Sequence, residues 1–429
     1  MRSRSRVALI VVGALVALFA VLGVANKSED GRQAILKWKP AFALMADGAS
    51  PYARAVDGAA PGEEAEGYPT LPLSAVVMDA LLTFGDTGGS VAFALLKLGC
   101  ATWILIASAT LARQAGFRFP PWAEWALFLL SLRVLLSDIS HGNTNLLVGA
   151  CVASAAIAWA RANDARSGAW VAIGATLKIT PALLALVPLR KAPRRAVIGL
   201  LGGAALGILV VPGLRYGFAT NLGWIPSFAD QMLAPYVEGR PPGPMQTEHI
   251  NQSWLGMLAR LFTDLPAIQA RKGDWPEDVR LTLVTLSSEG FRWLHRAVAM
   301  VTLAPFLWLV WRRADRRFAG ALFAVGSLVM LLISERSWKH HHVLVPLAIA
   351  WCLGMLASAR DARERLVAGV ALTAAALGQS LSGSGILGDR GSDLAEAWGA
   401  FLIADLALLG AVCWSLAVAP PDASDTDDQ

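Results

Sequence analysis

The chain has 429 residues, 55% of them hydrophobic and only 16% charged, with a net charge of +5 and a mean hydropathy of +0.51. That balance excludes an ordinary soluble enzyme, because about ten stretches of roughly 17–25 residues carry few charges, the length a helix needs to cross hydrocarbon. The pI near 9.2 does not indicate a nucleic-acid binder: the arginines lie in short segments between apolar runs, without the interleaved aromatics of single-strand binders.

In chain order, Arg2, Arg4 and Arg6 precede a first apolar run at 7–25, read as an uncleaved span. A polar segment at 26–87 follows. Spans are then predicted at 88–112, 121–137, 145–160 and 196–212, and, after a second polar segment at 213–288, at 293–311, 318–333, 342–358, 366–382 and 395–417. The four cysteines all fall inside such runs with no CxxC spacing, so neither a disulfide framework nor a cysteine metal site is expected. Between the basic loops 161–166 and 190–195 too few residues remain for two crossings. Lys178-Ile179-Thr180-Pro181 interrupts them, which predicts a broken helical V entering and leaving by one face. With ten crossings every arginine-rich loop falls on the cytoplasmic face, together with both termini and an acidic, disordered tail at 419–429. All six histidines fall on or near the opposite face. The expected fold is an all-α polytopic bundle, one domain over 1–418.

Polar residues at membrane depth are costly and mark sites. Asp138, His141, Asn143 and Asn145 form a knot at the top of an apolar helix, with Arg133 below; a turn-forming role is the alternative. Lys178, in the middle of the V, is an ammonium suited to phosphate. The string Ser334-Glu335-Arg336-Ser337-Trp338-Lys339-His340-His341-His342 suggests metal, but consecutive helical histidines point about 100° apart, so hydrogen bonding to a phosphate or sugar fits better. Glu248, Asn251, Gln252 and Trp254 supply carboxylate, amide and indole groups suited to a sugar. In the first polar segment Asp30, directly after the first span, is the best-placed general base, with Glu66 and Asp138 as substitutes. No cofactor is expected.

Taken together these strings resemble glycosyltransferase family 87, polyprenyl-phosphate-sugar-dependent membrane enzymes of GT-C type. Gly48-Ala49-Ser50-Pro51-Tyr52 is similar to a Gly-x-x-Pro-Tyr element and Tyr68-Pro69-Thr70-Leu71-Pro72 to a Tyr-Pro-rich helix entry. His141-Gly142-Asn143-Thr144-Asn145 is similar to a Gly-Gln/Asn-x-Asn element, and Lys178 with Pro181 to Lys-x-x-Pro. Asn251-Gln252-Ser253 and Ser337-Trp338-Lys339-His340-His341 match two more. The resemblance implies a bundle whose active site faces away from the cytoplasm, and a metal-independent, inverting transfer of a hexose such as mannose. It also implies a lipid-phosphate-sugar donor met by Lys178, His340 and His341, a lipid or glycan acceptor, and an acidic base in the first external loop. Here the sequence departs from the family, since Ala34 stands about where its Asp is expected. The competing expectation is a transporter or flippase, which broken helices also suit, although the two halves show no inverted repeat. A non-catalytic envelope scaffold is a third reading, in which these polar residues would be individually replaceable.

Overall fold

The computed structural model describes residues 2–52, 68–234, 242–270 and 275–418. Among these the regular elements are helical, apart from one isolated antiparallel bridge between Ile268 and Val279. Helices are the outcome expected where backbone amides must bond within their own segment. The first half comprises α1 (Arg2–Glu29), α2 (Pro72–Leu82), α3 (Asp86–Gln114), α4 (Pro121–His141), α5 (Asn145–Ala160), α6 (Asp164–Leu177), α7 (Leu186–Lys191), α8 (Pro193–Ala204) and α9 (Phe218–Phe228). The second comprises α10 (Trp254–Phe262), α11 (Ser288–Arg312), α12 (Ala319–Ile333), α13 (Val345–Ser358), α14 (Ala362–Leu381), α15 (Ser384–Ala397) and α16 (Ala400–Val418). Seven of the described helices are long and apolar enough to cross a membrane, or eight if one bent pair counts as a span.

Helices that are apolar all round must be buried all round. Accordingly α5, α12 and α13 form the centre, with α3, α4, α11, α14 and α16 packed about them. By contrast α1 rests on α3 and α4 with most of its apolar surface turned outward, as a helix facing lipid does.

The V is present. Lys178 ends α6 in an extended conformation, a 3₁₀ turn at Thr180–Ala185 reverses the chain, and α7 runs back. Its direction follows from the neighbours of α8: a Cβ added at Gly199 would meet the Ala165 carbonyl, one at Gly203 that of Ala169, and one at Gly207 the Thr176 side chain. Sequence position rises together on the two helices, so α6 and α8 are parallel and the segment between them returns to its starting face. The three glycines, four residues apart, let the backbones approach as small residues do in membrane interfaces.

Contacts then sort the loops onto two faces. Arg6 and Arg113 both pair with Glu124. The Arg118 amide meets Ser358, and Arg316 bonds Asp164 and the Trp159 carbonyl. Arg190 lies over Trp311, Arg363 over Trp414, and Arg313 reaches the Ala417 carbonyl. One face thus gathers the basic loops; the apex of the V, the turn at 142–144 and the histidine string lie at the other.

One expectation needs correction, the start of the last span. The polar segments 26–87 and 213–288 are partly helical where described. They contain helices Ala34–Lys37 and Lys39–Ala46, then α2, α9 and α10, because their apolar residues, among them Ile35, Phe42, Met45 and Trp224, find buried positions. The last span does not begin at 395: α15 bends 89° from α14, and Gly399, at φ +80, separates it from α16. Its charges (Asp389, Arg390, Asp393, Glu396) keep α15 at the polar face. Asp57, Glu63, Glu64, Glu66 and the tail at 419–429 lie outside the described residues.

Candidate functional site

Gly142 ends α4 in the left-handed conformation (φ +84), where glycine carries no Cβ penalty. A Cβ there would also lie 2.7 Å from Gln33 Oε1, so the turn is open only to glycine on two counts. The turn brings Asp138, His141, Asn143 and Asn145 to one place. The Asn145 amide donates to Asp138 Oδ1 at 2.8 Å, and the Leu146 N–H to Oδ2 at 3.3 Å. From α3, Lys97 pairs with Asp138 Oδ2 at 3.0 Å, both side chains fully buried. Across the bundle Lys178 Nζ donates to Asn145 Oδ1 at 3.1 Å. The chain Lys97–Asp138–Asn145–Lys178 therefore joins three helices and the apex of the V. Two amine groups face one carboxylate, so with both lysines protonated the cluster carries a surplus of one formal positive charge, which a bound anion would offset.

The histidine string closes the site from the other side. The Asn143 amide lies 2.9 Å from His340 Nε2, and the His141 and His340 rings stack at 4.2 Å. His341 stands edge-on to His340 at 4.6 Å; the Trp338 N–H donates to its Nδ1 at 3.2 Å, and the Arg336 carbonyl lies 3.1 Å from the same nitrogen. A cleft of about 30 Å³ runs between the two halves, lined by Asn145, Lys178, Thr180, Ser334, Arg336 and His341. Since about 10–15 Å³ by this measure admits a water, it has room for a small oxyanion but not for a sugar ring. Eight of the expected residues (Asp138, His141, Asn143, Asn145, Lys178, Arg336, His340 and His341) thus share one neighbourhood. His342 turns away from it. Both its nitrogens are engaged, Nδ1 with the Trp338 carbonyl at 3.0 Å and Nε2 with Asp405 of α16 at 2.9 Å.

The remaining candidates fall elsewhere. Asp30 is exposed in the turn after α1 and pairs with Arg32. That turn nonetheless abuts the site, because Gln33 donates to the Ser140 carbonyl at 3.2 Å. Asn251 and Gln252, expected to face a sugar, are fully buried with their amides bonded to backbone. Asn251 donates to the Gln246 and Glu335 carbonyls and accepts from the Ser337 N–H, the last at 2.9 Å. Gln252 donates to the His249 and Glu396 carbonyls and accepts from the Phe401 N–H. Trp254 packs against the main core, and the Glu248 carbonyl accepts from buried Arg260 at 3.0 Å. These residues frame the histidine string rather than line the cleft. Beside them burial pushes His249 below its ordinary range, against the pull of Asp393 at 3.3 Å.

Sequence reasoning overlooked Lys97 and Asp405. Each is a solitary charge within an apolar run, a signal in plain view for any polar residue at membrane depth. Among the described residues no group of three or more histidines, cysteines or carboxylates is arranged to hold a metal.

A model described as glycosyltransferase family 87 matches residues 68–334. A polyprenol-phosphate-mannose-dependent alpha-(1-2)-phosphatidylinositol pentamannoside mannosyltransferase from Mycobacterium tuberculosis is 28% identical over 233 residues, 52% of this chain and 44% of that one, so the match spans less than half of the relative. ArnT from Cupriavidus metallidurans, solved with undecaprenyl phosphate, is similar over 96% of this chain and 78% of its own at 15% identity (TM-score 0.40). Its apo form gives 13% and 0.39.

Proposed function

The chain belongs to glycosyltransferase family 87, and from that premise we propose that it moves a hexose, mannose in our reading, from a polyprenyl-phosphate donor to a hydroxyl of a lipid or glycan acceptor. The observation that carries the reading is the cleft itself. Lys178, Arg336 and His341 come together in it at the apex of a broken helix, beside a buried cluster with surplus positive charge. An isoprenoid tail would lie along the spans while its phosphate occupies this oxyanion-sized space.

The transfer is a single displacement. The acceptor oxygen forms its bond to the anomeric carbon as the carbon–phosphate oxygen bond breaks on the opposite side, which inverts the configuration. The electron pair leaves with the polyprenyl phosphate, stabilised by Lys178 and Arg336. In the tautomer of His341 that accepts the Trp338 N–H at Nδ1, Nε2 carries the proton and donates to the same phosphate. Because phosphate is a good leaving group, the scheme calls for no acid and no metal. The acceptor proton passes to Asp30, whose turn packs on the turn bearing His141 through Gln33. The gathering of basic loops on the other face supports an outward-facing reaction in the plasma membrane, with Arg6 and Ala417 on the cytoplasmic side.

The test is transfer from a radiolabelled polyprenyl-phosphate sugar by membrane vesicles carrying the Lys178→Ala variant. Loss of at least about 100-fold is expected, as for removal of one preorganised charge contact to a developing anion, with insertion unchanged; full activity would overturn the assignment. Uptake of the lipid without transfer by the parent protein would favour a carrier instead.

A further inference from the structure

Arg133 does not join the cluster built around Asp138. It lies eight residues before His141 on α4, about 12 Å deeper along the helix axis, and faces away from the cleft. It enters a lateral groove of about 340 Å³ between α4 and the corner where α14 meets α15. Its side chain reaches toward the α14–α15 corner, where among the described residues the guanidinium, a group that requires partners near the membrane, bonds one carbonyl, that of Ser382. Its Nε is buried with no hydrogen-bond partner among the described residues. The carboxylate of Glu396, which it senses electrostatically, is paired with Lys339. Room for the guanidinium is made by Gly383, where a Cβ would come within 2.2 Å of Nη1. The groove falls in the range of about 300–1,000 Å³ typical of ligand sites. Its walls include Leu130 and Ala376, and its rim carries Leu129 and Ile386, 58% and 66% exposed on the lipid-facing surface, with the Ser380 hydroxyl beside them.

We propose that this groove binds the headgroup of an anionic phospholipid, Arg133 meeting the phosphate and the acyl chains running over Leu129 and Ile386 along the outer surface of α4. The chemistry is complementary at both ends. The planar fork of arginine fits a phosphate diester oxygen pair, and the apolar rim fits chains but not a small hydrated anion. The site is distinct from the donor cleft and does not depend on the transferase reading. It does touch that cleft indirectly, because Lys339, next to His340, donates to the same Ser382 carbonyl at 2.9 Å as Arg133 does. An occupant would therefore stabilise the corner against which the histidine string rests.

The experiment is native mass spectrometry of the full chain in detergent, titrated with phosphatidylglycerol and, separately, phosphatidylcholine. One tightly retained phosphatidylglycerol is expected, at least about tenfold preferred over phosphatidylcholine. Arg133→Gln should abolish the preference, whereas Lys178→Ala should leave it intact. Ala376→Phe, which fills the groove and keeps the guanidinium, should do the same as Arg133→Gln, and its unfolding midpoint without lipid shows that the fold survives. Equal retention of the two lipids, retention unaffected by either groove variant, or displacement by millimolar inorganic phosphate would overturn the proposal.

Discussion

Two sets of buried polar residues stand side by side near the polar face, and they differ in how their bonds are used. In the set around Asn251 and Gln252 both side-chain amides are bonded to backbone groups from three separate stretches of chain. In the set around Lys178 and His341 bonding is incomplete. Among the described residues Lys178 uses one of its three N–H donors, on Asn145, and the Nδ1 edge of His341 is engaged while the ring borders the cleft. A saturated polar residue has nothing left for a ligand and serves the frame; one with donors in reserve at the edge of a cavity can serve chemistry.

The histidine string contains both kinds within two residues, so it offers the largest test. His342→Ala should cost about 3–5 kcal/mol of stability by leaving Asp405 buried without its partner. A lowered unfolding midpoint with donor-lipid affinity unchanged in the folded fraction is the expected result. Gln252→Ala strands two carbonyls and one N–H, and should cost about 3 kcal/mol or more at roughly 1–3 kcal/mol per buried unsatisfied group; thermal unfolding in detergent reads it, and specific activity of the folded fraction should stay within about threefold. His341→Ala should reverse that pattern. Transfer should fall on the order of 10–100-fold, the worth of a charge-assisted hydrogen bond of about 1.5–3 kcal/mol, while the unfolding midpoint falls less than for His342→Ala, since what is stranded is the neutral Trp338 N–H rather than a buried carboxylate. Should His341→Ala prove destabilising but fully active, the distinction between the two sets would fail. The smallest effect on stability sharpens the comparison: Asp30→Asn lies on an exposed turn, so stability should change by less than about 0.5 kcal/mol while transfer falls at least about 100-fold, and unchanged transfer would remove Asp30 as the base.

Much of the fold could be read from the chain because hydropathy is a local property. Apolar runs of membrane length declare themselves one at a time, and the short interval between two basic loops around Lys178 and Pro181 left room only for a return by the same face. The charged residues of the cleft are legible for a related reason, since charge at membrane depth is too costly to be incidental. Lys97 and Asp405 obey the same rule, but neither stands beside a helix break or a polar string that would mark a site. The place of Asn251 and Gln252 is not legible in the sequence, because an amide looks the same whether it meets a hydroxyl or a backbone carbonyl.

What the sequence determined by itself was therefore the helical class, the approximate spans, the broken V and the identity of the costly polar residues. All of these follow from the price of taking a peptide or a charge out of water. Tertiary structure alone decided which polar groups share a cleft, that Asp138 answers to Lys97, that His342 belongs to Asp405, and that Arg133 turns into the groove beside α14 and α15 while Asp138, five residues later, turns to Lys97 and Asn145. Hydrogen-bond satisfaction is a relation between distant segments, and no single segment carries the record of its partner.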